Sequence, residues 1–473
     1  MESKKFNLTF VVTHECNLRC SYCYESMRDK DIMSADFVKE KIAQYLNDES
    51  LMEVEIDFFG GEPWLKFDLI KEVCEWTWRQ SWKNKYLFFT TTNGTLIHGE
   101  IQDWLRKNKT RIWCGLSLDG RKETHDKNRS NSFDKIDLDF FLECWPTQPV
   151  KMTISKETID TLFEDIKYIQ ELGFKISGTN FAEGFDWSDE KYVAILCREL
   201  EKLTDFYIKH PEFEVSSIID MAIQNCEAPS KTQKWCGTGT HMVVYDINKE
   251  AYPCQFFTPM TISSEKFDAI KNIDFHNDEV FLDEYCQKEC YLYNICPSCY
   301  GANFLVNGKL YERDKSKCKL IKIRAYYTAA LKAQQILKST SSLNDKNTAE
   351  LNKIALQIRA IEKIKTIYEK EFEDIPIATI ANPPSSSIEP NVESDLSKQT
   401  QCDICQGTIR AFSNETCRDA SCAGNCYGAC EAACGGGCMD SCYGGCEDNS
   451  IEGEKLKLLP EGCCGLFRHI FMK

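Results

Sequence analysis

The chain has 473 residues, a formal net charge of −16 and 27 cysteines. That length holds two or three domains, each with its own core, and an acidic chain without a basic stripe is a poor binder of nucleic acid. No stretch is apolar enough for a signal peptide or a bilayer span, so no membrane partner is expected and a cytoplasmic setting is, where thiols stay reduced and clustered cysteines bind metal or do chemistry.

Six apolar, β-branched and aromatic runs read as strands: 6–13, 54–60, 86–93, 112–119, 150–156 and 175–184. Amphipathic helical stretches lie between them, most clearly ADFVKEKIAQYL (35–46) and TLFEDIKYIQEL (161–172). Six βα units in succession imply a parallel sheet, open or curled into a partial barrel, that works at the C-terminal ends of its strands. From about 216 to 330 the pattern breaks into short segments dense in Cys, and 320–338 and 349–372 read as helices. Residues 374–400, rich in Pro, Ser and charge, read as a flexible linker to a Cys-rich tail. The expected organisation is an α/β core over 1–215, an auxiliary domain over 216–330, a helical extension over 331–373, the linker, and the tail over 401–473.

CNLRCSYCYE places Cys16, Cys20 and Cys23 directly after the first strand, with Tyr22 and Tyr24 beside them. Three thiolates on one tight loop can hold three irons of a cubane [4Fe–4S] cluster, which is normally bound by four cysteines. The fourth iron is then open, as catalytic metal sites leave a position for substrate. A zinc loop and plain buried cysteines are the alternatives; zinc favours paired CxxC or Cys/His sets, and no partner pair sits nearby.

With these residues the sequence resembles the radical SAM superfamily. FFGGEPWL carries Gly60, Gly61, Glu62 and Pro63 at the end of the second strand, similar to the family's GGEP motif, which contacts the amino group of S-adenosylmethionine (SAM). Its glycines let backbone come close to the ligand. TTNGTL ends the third strand, and SLDG ends the fourth and leads into HDKNR. The resemblance implies that Asn93 and Ser117 help hold the SAM carboxylate and ribose, and that Asp119 is an acidic residue near the substrate or a turn cap. It covers roughly 6–210 and implies a partial (β/α)6 barrel, a [4Fe–4S] cluster with SAM, cleavage of SAM to a 5′-deoxyadenosyl radical, hydrogen abstraction from an unactivated C–H, an anaerobic setting, and an electron donor such as ferredoxin or flavodoxin.

Cys236, Cys254, Cys286, Cys290, Cys296, Cys299 and Cys318 follow, and this region resembles a SPASM domain, the auxiliary-cluster module of radical SAM peptide maturases. The resemblance implies two further [4Fe–4S] clusters, one on Cys236, Cys254 and Cys299, the other on Cys286, Cys290, Cys296 and Cys318. The fourth site of the first would be open to a substrate thiolate or filled by Cys226. Two features depart from the family: the gaps within the central four cysteines are exchanged, and Lys249 stands where a glycine is usual, five residues before Cys254. A zinc-ribbon-like site is the alternative. Cys74, Cys114, Cys144 and Cys197 sit in helix and strand patterns and read as buried small hydrophobes.

In the tail, Cys422, Cys426, Cys430, Cys434, Cys438, Cys442 and Cys446 recur at every fourth position. Interspersed glycines disfavour a helix at about 1 kcal/mol each. A reducing compartment disfavours disulfides, a metal store would show tighter or mixed ligand sets, and a merely disordered tail would leave the strict period unexplained. The remaining reading is a substrate. Radical SAM–SPASM maturases modify ribosomal peptides, and the region resembles that of the maturase group with CXXX-repeat targets. The residue before each following Cys is small (Asn425, Ala429, Ala433, Gly437, Ser441, Gly445), which exposes its Cα–H. A flexible link of about 45 residues has an r.m.s. reach near ~37 Å, enough to return residues 417–446 to a barrel mouth in cis. The expected activity is therefore thioether cross-linking of a Cys-repeat peptide. The alternatives are maturation of a separate protein, as by anaerobic sulfatase maturases, and a non-enzymatic iron–sulfur or metal carrier.

Overall fold

The computed structural model describes residues 5–26, 28–228, 234–338 and 348–372. The 374–400 linker and the Cys-repeat tail lie outside the described residues. All six expected strands form. β1 (Lys5–Thr13), β2 (Glu53–Gly60), β3 (Lys85–Thr92) and β4 (Ile112–Leu116) pair in parallel in the order β4-β3-β2-β1. β5 (Val150–Ile154) and β6 (Ile176–Phe181) form a parallel pair. A single bridge, Ser117 to Lys151, with Leu118 N–H donating to Lys151 C=O at 3.0 Å, joins this pair to the end of β4. The result is an α/β fold with a mostly parallel main sheet and a parallel two-stranded sheet bridged to its end.

The helices follow from local signals. α1 (Ala35–Leu46) starts at Ser34, whose side chain accepts from Phe37 N–H, and buries Val38, Ile42 and Leu46, one stripe at i, i+4, i+8. Each such side chain contributes about 1.5–3 kcal/mol by leaving water, so Ile42→Asp would unseat the helix. α2 (Phe67–Trp78), α3 (Gly99–Asn108), α4 (Lys122–Asn128), α5 (Leu138–Cys144), α6 (Leu162–Glu171) and α7 (Glu190–Lys209) complete the βα alternation. Cys74, Cys114, Cys144 and Cys197 are buried in this framework, as expected.

Two features differ from the sequence reading. β7 (Met242–Tyr245) pairs in parallel with β1, and β8 (Ala251–Tyr252) pairs antiparallel with β7, so the sheet runs on into the Cys-dense region. β1 thereby becomes central and is buried from Leu8 to Thr13, which fits its nearly unbroken apolar run. In the hairpin between β7 and β8, Lys249 takes φ 67°, the left-handed conformation that a glycine would adopt without strain. Beyond the hairpin come α8 (Ser264–Asp268), α9 (Glu284–Glu289), α10 (Tyr300–Asn307) and α11 (Cys318–Lys338). The second expected C-terminal helix is broken. α12 (Thr348–Ile367) stops before Tyr368, which is buried, and α13 (Glu369–Phe372) follows. One core joins the sheet, α7, α11 and α12, and a second, aromatic core surrounds Cys254. Among the described residues no helix is long and apolar enough to cross a membrane.

Candidate active site

The C-terminal ends of β1 to β4 meet the Cys-dense segments around one cavity of about 610 Å3. Cys16, Cys20 and Cys23 form part of its barrel-side wall, with Gly60, Gly61 and Glu62. Cys286, Cys290, Cys296, Cys299 and Cys318 line the same cavity. Sequence positions 16 and 318 are thus brought to one chamber.

The glycines act first on the protein itself. Gly60 has φ 144°, and a Cβ there would stand 2.2 Å from Thr13 O; one on Gly61 would stand 2.4 Å from Glu15 O. Gly61 N–H donates to Thr13 C=O at 3.1 Å and Glu62 N–H to Glu15 C=O at 2.9 Å. The GGEP segment is therefore a backbone clamp on the loop that carries the three cysteines. Glu62 turns inward: its carboxylate accepts from Trp64 N–H (3.2 Å), Thr92 Oγ1 (2.8 Å) and Asn93 N–H (2.8 Å), bracing β2 against β3. Burial pushes its carboxyl up to about 7, with these hydrogen bonds opposing. Pro63 opens the short turn after it, Pro63–Lys66. Asn93 lines the cavity and donates from Nδ2 to Asn17 Oδ1 at 2.9 Å, which fixes the residue after Cys16. Ser117 also lines the cavity.

Asp119 is fully buried and is not part of the cavity lining. Its carboxylate accepts two bonds from Arg129 (2.9 and 3.1 Å), one from Tyr22 Oη (2.6 Å) and one from Thr153 N–H (3.0 Å). Arg129 does line the cavity, and the Tyr22 ring lies 5.3 Å from its guanidinium carbon. Asp119 thus positions Arg129 and the Cys loop, and Arg129 is the residue that the sequence reading passed over. Arg28 is another: its Nη2 donates to Cys23 Sγ at 3.0 Å and its Nη1 to Glu25 at 3.3 Å.

The later cysteines fall into two groups. Cys254 packs in the aromatic core and Cys299 against it, whereas Cys226, Cys290 and Cys296 pack in or against the larger one. Burial pushes the Cys16 and Cys318 thiols up to about 11 and those of Cys286 and Cys299 to about 12, so thiolates there need a positive partner such as iron. The second group also faces two buried cations. Arg313 donates to Tyr293 C=O and Cys296 C=O, and Arg324 to Ile218 C=O and Ser217 C=O; neither pairs with a carboxylate among the described residues. An unpaired buried cation costs several kcal/mol, and four thiolates around iron would be its counter-charge. Among the described residues no three Cys, His, Asp or Glu side chains converge on one metal ion. A cubane spreads its ligands over separate irons rather than gathering them on one ion.

The comparisons agree with this geometry. Residues 10–194 match the profile of the radical SAM superfamily. The chain carries a radical SAM domain. A radical SAM domain binds a [4Fe–4S] cluster with SAM. A cysteine-type anaerobic sulfatase-maturating enzyme of Clostridium perfringens (strain ATCC 13124) is 25% identical over 316 residues, 59% of this chain and 84% of that protein. The antilisterial bacteriocin subtilosin biosynthesis protein AlbA of Bacillus subtilis (strain 168) is 24% identical over 316 residues, 62% of this chain and 66% of that protein. The solved structure of native anSMEcpe with bound AdoMet and Cp18Cys peptide superposes with a TM-score of 0.54 at 21% identity, covering 68% of this chain and 96% of that one, a likeness of fold.

Proposed function

We propose that this radical SAM enzyme is a peptide maturase that forms thioether cross-links in a Cys-repeat peptide, with its own residues 417–446 as the substrate. The observation that carries the reading is that Cys16, Cys20 and Cys23 line the same cavity as Cys286, Cys290, Cys296, Cys299 and Cys318. In this reading Cys16, Cys20 and Cys23 hold the SAM-binding cluster, and Cys236, Cys254 and Cys299, with Cys286, Cys290, Cys296 and Cys318, hold two auxiliary clusters. A cluster held on Cys16, Cys20 and Cys23 would, with SAM, supply the chemistry of hydrogen-atom removal from a substrate C–H bond.

The chain's own residues do the rest. Gly60 and Gly61 seat the Cys loop, Arg28 donates to Cys23 Sγ, and Asn93 fixes Asn17. Arg129, held by Asp119, presents a fixed positive charge to the cavity, suited to an anionic group such as the SAM carboxylate. Cys226 packs in the core that Cys290 and Cys296 also join, apart from Cys254 and Cys299, which supports an open fourth position on the first auxiliary cluster for a substrate thiolate. The names of the relatives, sulfatase maturases and a bacteriocin biosynthesis protein, support a peptide or protein substrate.

Kinetics test the reading. Full-length protein incubated anaerobically with SAM and a low-potential reductant should release 5′-deoxyadenosine and lose free tail thiols at a rate per chain that does not change on dilution. A rate that falls in proportion to protein concentration would mean that the tail is modified in trans. Release of 5′-deoxyadenosine with all tail thiols intact would favour the second reading, maturation of a separate protein.

A further inference from the structure

The break between α12 and α13 falls at Tyr368, and the Tyr368 hydroxyl lies 3.2 Å from Cys290 Sγ. The contact is held from several sides. Lys322 Nζ sits 4.0 Å from the Tyr368 ring centroid and pairs with Glu371 at 2.5 Å. Lys363 on α12 pairs with Glu227 at 2.6 Å and lies 5.2 Å from the ring of Tyr291, the neighbour of Cys290. Tyr368 itself is buried. A phenol is protonated at neutral pH and a metal-bound cysteine is a thiolate, so the hydrogen in this contact belongs to Tyr368 and the sulfur accepts it.

From this geometry we infer that Tyr368 is a positioning residue that donates a hydrogen bond to the Cys290 sulfur and so raises the reduction potential of the cluster held there. A hydrogen bond withdraws electron density from a ligand sulfur and favours the reduced, more negative cluster. Arg313, whose Nη1 donates to Cys296 C=O at 3.2 Å, and Arg324, which lines the same cavity, add positive charge on that side. The C-terminal extension thereby has a direct hold on a redox centre. The inference rests on the reading that Cys290 ligates an auxiliary cluster.

Iron analysis and EPR-monitored redox titration of reconstituted full-length protein test it. In Tyr368→Phe, iron content should equal wild type, one auxiliary signal should titrate at a lower potential, and the signal that responds to SAM should not move. Incorporation of 3-fluorotyrosine at position 368, nearly the same in shape but a stronger donor, should raise the same potential. Both shifts together support the inference. Unchanged potentials at full iron content overturn it, and loss of one cluster's iron in Tyr368→Phe with no upward shift in the 3-fluorotyrosine protein assigns Tyr368 a structural role only. Loss of iron in Cys290→Ala is the separate check: if iron content there equals wild type, the ligand assignment fails instead.

Discussion

The Asp119 carboxylate grips the Arg129 guanidinium through two hydrogen bonds, 2.9 and 3.1 Å long, with both residues buried. Asp119→Ala leaves a buried cation without its partner, a change that costs about 3–5 kcal/mol. Urea unfolding should show that loss, and Asp119→Asn, which keeps the shape and part of the hydrogen bonding, should lose less. Equal stability of Asp119→Ala and wild type would contradict the clamp.

Gly61→Val should act on the cluster before it acts on SAM. Its Cβ would meet Glu15 O at 2.4 Å, and neither that carbonyl nor the strand end can move without displacing the Cys loop. Iron content after anaerobic reconstitution should fall by about one cluster per chain. Full iron content with weakened SAM binding would mean that the glycine serves the ligand directly.

Replacing Cys16, Cys20 and Cys23 together with Ala should remove one cluster and all SAM cleavage while leaving the iron of the other groups in place. 5′-Deoxyadenosine formation by the triple variant, followed by chromatography, would contradict the assignment of these residues.

His125 gives a pH signature of its own. Burial, and then the charge of Arg129, pushes its pKa down to about 4. The ring is fully buried, and Nε2 contacts Ser132 Oγ at 3.1 Å. The unfolded chain takes up the proton near pH 6.5 and the folded chain only near 4, so stability from this site is complete above ~6.5 and declines as pH falls towards 4, by up to about 3 kcal/mol. Urea unfolding between pH 4 and 7 should show a shallower slope for His125→Gln than for wild type.

The six parallel strands were legible because each is a long β-branched or aromatic run followed by an amphipathic helix. β7 was not: MVVY is four residues long and becomes a strand by pairing with β1, a contact no local pattern records. The cysteines were found by spacing; Cys16, Cys20 and Cys23 and five of the later seven line one cavity. Arg129 was hidden because a lone Arg in a polar run, HDKNR, has no period; its role comes from the Asp119 carboxylate ten positions earlier. Gly60 and Gly61 were found by motif, but the backbone they admit first is that of Thr13 and Glu15. Tyr368 reads as one more residue of an amphipathic helix until the fold sets it against Cys290.

The central claim, that this enzyme cross-links its own Cys repeats, is tested most directly by the mass of the tail. Each sulfur-to-carbon link removes two hydrogen atoms and consumes one thiol. After anaerobic incubation with SAM and reductant, then full reduction and alkylation, the peptide containing Cys422 to Cys446 should show stepwise loss of hydrogen pairs and thiols that no longer alkylate. Complete alkylation of every tail cysteine, in protein whose clusters are intact and which cleaves SAM, would contradict the account.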